Sequence, residues 1–238
     1  MTRALIRIIP CLVALFFAVP ANASANLSLA GNSDAVRMGV VLTIMAVLPA
    51  IIISMSSFIR IVIVLSMVRH AFGMPETPPN SVIISLSLFL TAFSMGPALG
   101  QLNQNAVQPY LAGTIPVETM LDRGSAPLRD FMLAQTRDED IETMYAIAGV
   151  TVPSRREEVE ILRLTPAFIL NELRVAFTIG FVVLLPFLLI DLVVSAILLA
   201  LGMMMVPPAT ISLPIKLLMF VLIDGWALVI EGVLGSFR

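Results

Sequence analysis

The chain has very little of the chemistry that most enzymes use. Its 238 residues include one cysteine, Cys11, and one histidine, His70. A metal site needs several nitrogen, sulfur or carboxylate ligands close together, and the sequence shows no such cluster. It also has no glycine-rich phosphate-binding loop. No pattern in the sequence indicates a serine and a carboxylate that would join His70 in a catalytic triad. We therefore expect a protein that is not an enzyme and that uses no metal and no cofactor.

Charged residues are scarce as well. They make up 13% of the chain, whereas 58% of the residues are hydrophobic and the mean hydropathy is +0.99. Average soluble domains contain about 25% charged and about 45–50% apolar residues. The composition therefore predicts an integral membrane protein. The net charge of −2 gives no reason to expect a nucleic-acid partner.

The first residues have the pattern of a secretory leader. Arg3 and Arg7 precede a short apolar run, and small residues follow up to Ala25. The alternative is an uncleaved anchor helix, which the short length of the run disfavours. We expect residues 1–25 to be a cleaved signal peptide and residues 26–37 to be a short polar N-terminus outside the cytoplasm. Cleavage would remove the only cysteine.

Four long apolar segments follow the leader. They are Met38–Val68, Val82–Leu99, Ala167–Leu201 and Ala209–Gly235. We predict that all four are helical, because backbone polar groups in lipid must be paired within their own segment. Residues 38–100 are predicted to form a first helical hairpin with a kink at Pro49, and residues 166–238 a second hairpin. The predicted fold class is an all-α integral membrane protein.

A charged insert, residues 101–165, separates the two hairpins. It contains 16 of the 30 charged residues of the chain. Apolar residues at steps of three and four predict a helix over Ala126–Ala148, with Phe131 and Met144 among its packing residues, and a shorter helix before it. Arg69 at the inner end of the first segment agrees with an N-terminus outside, which places the insert in the periplasm.

Several charged residues lie within or at the ends of the apolar segments. They are Arg60, Glu172, Arg174, Asp191, Lys216, Asp224 and Glu231. A charge at the middle of a membrane helix costs about 2.5–3.5 kcal/mol, so these residues need partners, water or a protein interface. Asp191 and Lys216 are within reach of each other in a hairpin, either as a structural ion pair or as part of a subunit contact or hydrated lumen. The position of Glu172 before Arg174 suggests an intersubunit pair.

The loop that joins the last two segments, residues 202–208, has an unusual composition. Met203, Met204 and Met205 are consecutive, and two prolines follow. Thioether side chains fill irregular gaps and repack without a fixed geometry. If several copies met around one axis, this methionine loop could close a hole and still yield to a passing molecule. The alternative is ordinary core filler in a membrane hairpin.

Ordered blocks along most of the chain match a known family. The blocks are Ser56–Ile61, Pro78–Asn80, Arg129–Arg137, Pro166–Leu173, Pro186–Leu192, Gly202–Pro208 and Asp224–Trp226. Together they resemble the FliP family of flagellar export-gate proteins, whose injectisome relatives belong to the SctR group. The predicted leader favours the flagellar branch.

The resemblance implies a function and a set of partners. Members of this family are pore-forming structural components of the flagellar type III protein export gate. Five copies assemble as a pentamer, to which FliQ-like and FliR-like membrane subunits bind. The gate conducts unfolded flagellar substrates across the bacterial inner membrane at the flagellar basal body. The methionine loops of the family act as a gasket, a role that carries onto Met203, Met204 and Met205. The alternative is a small-solute transporter or an ion channel subunit, for which internal symmetry or a ring of charges is expected.

Overall fold

The computed structural model describes residues 33–74 and 76–237, and within these ranges every regular element is helical. The predicted signal peptide and most of the polar segment after it lie outside the described residues. The chain divides into two compact units, Met1–Pro49 and Ala50–Arg238. The described part of the first unit, residues 33–49, belongs to one helix that continues to Ser54, and every later element lies in the second unit.

The first apolar segment is interrupted, but not at the predicted place. Helix α1 spans Ser33–Ser54 and continues through Pro49, and helix α2 spans Phe58–Ala71. The break lies at Met55–Ser57. The Ser56 hydroxyl donates to the carbonyl of Ile53 at 2.9 Å and accepts from the amide of Phe58 at 3.4 Å. Serine competes in this way with the backbone bonds of a helix, so the interruption follows the serines and not the proline.

The second apolar segment is bent where a single helix was predicted. Helix α3 spans Asn80–Ser94 and helix α4 spans Gly96–Leu102, and the helical stretches on either side of Met95 meet at 68°. Pro97 has no amide hydrogen and its ring crowds the preceding turn, which ends α3 there. The Ser57 and Ser94 hydroxyls are 2.6 Å apart and join the start of α2 to the end of α3.

The charged insert is helical throughout most of its length. A π-helical turn follows α4, and the next helices are α5 (Gln108–Leu111), α6 (Val117–Gln135) and α7 (Asp138–Ile147). The prediction of one helix over 126–148 is wrong, because the chain breaks after Gln135. The Thr136 hydroxyl donates to the carbonyl of Met132 at 2.7 Å. Three acidic residues then occupy the first turn of α7, where the helix dipole favours negative charge.

The insert has its own apolar core, which it shares with the first turns of the next long helix. The buried residues are Met132, Leu133, Ile141, Tyr145, Val159, Leu164, Ala167 and Phe168. Phe131 and Met144 are partly buried and pack against this cluster. The rings of Phe131 and Phe168 lie edge to face with centroids 5.9 Å apart. Residues 101–165 are therefore packed against the second hairpin.

The second hairpin contains the longest helix. Helix α8 spans Ile161–Ala200, and helices α9 (Pro208–Leu222) and α10 (Gly225–Leu234) follow the methionine loop. The predicted fourth segment is broken at Asp224, which has a left-handed backbone with φ 51°, and α9 and α10 meet at 66°. Aspartate tolerates this conformation better than most residues.

Only part of the predicted membrane architecture is seen in the described residues. Helix α8 alone is long and apolar enough to cross a membrane, and each of the two bent pairs would add one span if it acts as a unit. The all-helical class is thus observed, whereas four uninterrupted apolar helices are not.

Helix α2 is the centre of the main apolar core. It packs between α3 and α8, and Ile61, Val64, Leu65 and Val68 are almost completely enclosed. Phe72 at its end lies edge to face against Phe187 of α8 and Phe220 of α9, with centroids 5.3 and 4.8 Å away. Aromatic contacts of this kind add about 0.5–1.5 kcal/mol each beyond burial. They fix the hairpin that carries the methionine loop.

Candidate functional site

The methionine loop has a rigid base on both sides. Gly202 has a φ of +73°, and the amide of Met203 donates to the carbonyl of Leu198 at 2.9 Å while the amide of Gly202 donates to Leu199 at 3.0 Å. This pair of bonds is a Schellman motif, which satisfies the last carbonyls of α8. On the other side Pro208 begins α9, where proline's fixed φ suits the first turn of a helix.

The side chains of the loop point into open space. Met203, Met204 and Met205 are 43%, 80% and 95% exposed. In contrast, Met95 and Met132 are almost completely buried. Core filler within one chain therefore does not describe the loop, since its thioethers contact little of their own chain. They are available to another molecule.

An ion pair joins the two helices that flank the methionine loop. Lys216 of α9 donates to Oδ2 of Asp191 on α8 at 2.6 Å and to the carbonyl of Ala71 at 3.2 Å. Lys216 is buried, and Asp191 is partly exposed. The ion pair predicted within the hairpin forms, and the additional bond places a cation at the last turn of α2, where the helix dipole favours it. Lys216 therefore ties three helices together beneath the methionine loop.

A second buried charge cluster is centred on Arg60 of α2. Its guanidinium makes five hydrogen bonds, which match its five N–H donors. Two go to the carboxylate of Glu172, of which the bond from Nε is 2.8 Å long. The others reach the carbonyl and hydroxyl of Ser236, at 3.0 and 2.8 Å, and Oε1 of Gln135, at 3.2 Å. The ring of Phe237 lies 3.9 Å from the guanidinium carbon.

This geometry changes the interpretation of Glu172. Both Arg60 and Glu172 are completely enclosed by their own chain. The sequence suggested an intersubunit pair near Glu172, but in the single chain its partner is Arg60, on a helix packed against α8. Glu172 and Arg60 are thus charges buried within one chain and not at a contact between subunits. Asp224, by contrast, is exposed in the single chain, so it is not a buried charge.

Arg174 fastens the charged insert to the long helix. Its two terminal nitrogens each donate to one carboxylate oxygen of Asp140 on α7, both at 2.7 Å. Such bidentate pairs combine charge with fixed geometry. Asp140 is buried, and its role was not predicted from the sequence. Its position in a first helical turn full of acids gave no signal, because the partner lies 34 residues away.

Removing this clamp gives a first testable prediction. In Asp140→Ala the guanidinium group of Arg174 loses the carboxylate that it binds, so α7 should separate from α8 more often. We expect trypsin to cleave the purified full chain several-fold faster at Arg155 or Arg156, in the loop between these helices. Glu142→Ala is the matched control, since Glu142 is an exposed carboxylate of the same helix. Equal cleavage rates in Asp140→Ala and the unmodified chain would contradict the clamp.

The fold and the charge clusters define a class of protein. In the part of the chain that the structure describes, it is an all-helical protein organised around a long apolar hairpin, in which several charges are paired internally and which is compatible with a membrane span. No group of metal-binding side chains occurs among residues 33–74 and 76–237.

Comparison with known proteins gives the family. A sequence model described as the FliP family matches residues 41–233. The chain belongs to the FliP family, as the resemblance of its sequence blocks predicted. A flagellar biosynthetic protein FliP of Pectobacterium carotovorum subsp. carotovorum is 49% identical over 198 residues, which cover 83% of this chain and 77% of the relative.

Further relatives carry the same name. The flagellar biosynthetic protein FliP of Aquifex aeolicus (strain VF5) is 45% identical over 207 residues, covering 86% of this chain and 87% of the relative. That of Buchnera aphidicola subsp. Baizongia pistaciae is 47% identical over 198 residues, covering 83% of this chain. The matched region spans 55% of that longer relative.

Proposed function

We propose that this chain is a pore-forming structural component of the flagellar type III protein export gate, with no catalytic role. The family membership supports a part in flagellar biosynthesis, since the relatives are named flagellar biosynthetic proteins. The single observation that carries the pore proposal is the exposure of Met203, Met204 and Met205 on a loop with a rigid base. Unfolded flagellar substrates pass between these loops.

Because several charges are paired inside the chain, much of its exposed surface is apolar, as expected of a protein that assembles in a membrane. Arg60, Glu172 and Lys216 are all neutralised within the chain, whereas Phe89 and Phe93 on α3 are more than 70% exposed. Exposed apolar surface of this extent is typical of protein or lipid contact. The proposed partners are further copies of the chain, as a pentamer, with FliQ-like and FliR-like membrane subunits. The proposed site is the bacterial inner membrane, at the flagellar basal body.

The chemistry of methionine explains how such a gate would stay closed. An apolar constriction resists ions because water leaves it. Methionine has an unbranched, flexible side chain, so several copies can fill a narrow opening whose shape changes when a chain passes. We propose that Met203, Met204 and Met205 of neighbouring copies form this gasket. Asp224 and Glu231 are exposed charges of the second hairpin and are candidates for contact with a partner.

Deletion of the chain tests the proposal in cells. Without it, flagellar subunits should no longer appear in the culture medium, and a plasmid-borne copy should restore them. A periplasmic enzyme secreted by another route serves as the control and should be unaffected. Continued export in the deletion strain would contradict the proposal. Loss of uptake of a small solute with normal export would favour the transporter alternative.

A further inference from the structure

The end of α7 presents apolar side chains on the surface of the charged insert. Ile147 is 75% exposed, and Val150 and Val152 are exposed in the loop that follows. This part of the chain holds 16 of its 30 charged residues, so three neighbouring aliphatic side chains in contact with water are unexpected there. We call residues 147–152 the apolar turn.

The backbone of the apolar turn is held in one conformation. Gly149 has a φ of +66°, and its amide donates to the carbonyl of Ala146 at 3.1 Å. The amide of Val150 donates to the carbonyl of Tyr145, also at 3.1 Å. These two bonds form a Schellman motif, which ends α7 and satisfies its last carbonyls. The exposed side chains therefore project from a rigid base.

An apolar groove lies elsewhere on the insert, between α6 and the π-helical turn Asn103–Val107. The residues that line it include Leu102, Val107, Met120, Leu121 and Leu128. Its volume is about 260 Å³. A cavity of about 150 Å³ holds a benzene ring, so this α6 groove has room for a branched aliphatic side chain. Leu121 is 62% exposed at its edge.

The apolar turn and the α6 groove are both exposed in the single chain, so they do not cover each other there. A contact between them would join two copies. Because the two surfaces differ, such a contact leaves each copy with one groove and one turn for its two neighbours. Contacts of this heterologous kind close into a ring when the rotation from copy to copy completes a circle.

The charges beside the two surfaces have opposite signs. Glu118 and Asp122 lie next to Leu121 on α6, and Arg155 follows the apolar turn. All three side chains are exposed, and within the described ranges none of them forms a hydrogen bond or an ion pair. Complementary charges at the rim of an interface favour one partner and one register.

We propose that the apolar turn of one copy seats in the α6 groove of a second copy, with Arg155 beside Glu118 and Asp122. Ile147, the most exposed residue of the turn, enters the groove. The inference rests on the proposed pore function, which requires several copies around one axis, and it names the surfaces through which these copies meet.

Covalent capture between two copies tests the contact. In a background of Cys11→Ser, a tagged copy with Leu121→Cys is co-expressed with an untagged copy that carries Ile147→Cys. Mild oxidation of native membranes should give a mixed dimer of the two, whereas either variant expressed alone should remain monomeric. Absence of the mixed dimer, or dimers of one variant alone, would overturn the proposal.

The matched control uses a cysteine on the same helix. Glu139→Cys lies eight residues before Ile147 on α7, which is ~12 Å along the axis. Disulfide formation requires Cα atoms within about 7 Å of each other, so Glu139→Cys should give no mixed dimer with Leu121→Cys. A mixed dimer of equal yield in this control would show that the capture is non-specific and would overturn the proposal.

Charge reversal tests the register of the contact. At low salt, E118R/D122R and R155E should each lower the yield of assembled particle about tenfold, because like charges then face each other. The combined variant E118R/D122R/R155E should recover the yield, whereas the thermal unfolding temperature should stay unchanged throughout, since all three side chains are exposed. A normal yield in the separate variants, or no recovery in the combined one, would overturn the proposal.

The mass of the unmodified particle separates this inference from the proposed function. If the chain assembles into a particle of several copies and export proceeds, but no mixed dimer forms, the proposed contact fails and the pore proposal stands. If the chain stays a monomer in the presence of its membrane partners, the pore proposal fails, and the contact fails with it.

Discussion

Replacing Met203, Met204 and Met205 together with alanine is expected to make the assembled gate leak small ions at rest. The three side chains are exposed on a turn whose backbone is held by Gly202 and Pro208, so the substitution shortens the side chains without altering the base. Alanine cannot reach across an opening that methionine fills, and the constriction would then stay wet. We expect the conductance to rise at least about tenfold above that of the unmodified particle.

The control for this experiment keeps the loop apolar and large. M203L/M204L/M205L has side chains of similar volume, and it should leak far less than the alanine variant. Both variants must first be shown to give particles of the same mass as the unmodified chain. Background conductance in the alanine variant, with normal assembly, would contradict the gasket.

Removing Glu172 is expected to cause the largest loss of stability. Its carboxylate is completely buried and binds the Arg60 guanidinium, which is equally enclosed. In Glu172→Ala the arginine would remain buried without its anionic partner, which costs about 3–5 kcal/mol in comparable cases. The expected result is a marked fall in the thermal unfolding temperature of the detergent-solubilised chain.

Two further variants make this test specific. R60M/E172M removes both charges and should be more stable than Glu172→Ala, because no unpaired charge is left in the core. Glu142→Ala removes an exposed carboxylate from α7 and should change stability by less than about 0.5 kcal/mol. An unchanged unfolding temperature in Glu172→Ala, together with a loss of oligomer, would contradict the internal pair and restore the intersubunit role.

Local patterns in the sequence indicated the two arms and the turn of the second hairpin, although they did not indicate the break at Asp224. The apolar composition indicated helices, and the prolines and glycine of residues 202–208 indicated a turn. Once the turn is known, the helical rise per residue gives the distance of each residue from the turn along its helix. Asp191 and Lys216 come within reach of each other by this measure, as the sequence predicted for an ion pair in the hairpin. Helical spacing also indicated Phe131 and Met144 as packing residues, although the structure places them on two separate helices, α6 and α7.

Other features depend on contacts that leave no local pattern. Arg60 and Glu172 are 112 residues apart, and their pairing is decided by how α2 packs against α8. The breaks at Ser56 and Thr136 depend on side-chain hydroxyls that bond to nearby carbonyls, which apolar periodicity does not record. The left-handed Asp224 likewise interrupts a run that is otherwise uniformly apolar.

Covalent capture of neighbouring loops tests the central claim most directly. A disulfide forms only when two Cα atoms come within about 7 Å of each other. In a background of Cys11→Ser, we expect Met204→Cys to give dimers of the chain on mild oxidation of native membranes. Glu157→Cys, on an exposed loop of the insert, should remain monomeric. Monomeric Met204→Cys in a particle of normal assembled mass would show that the methionine loops do not meet.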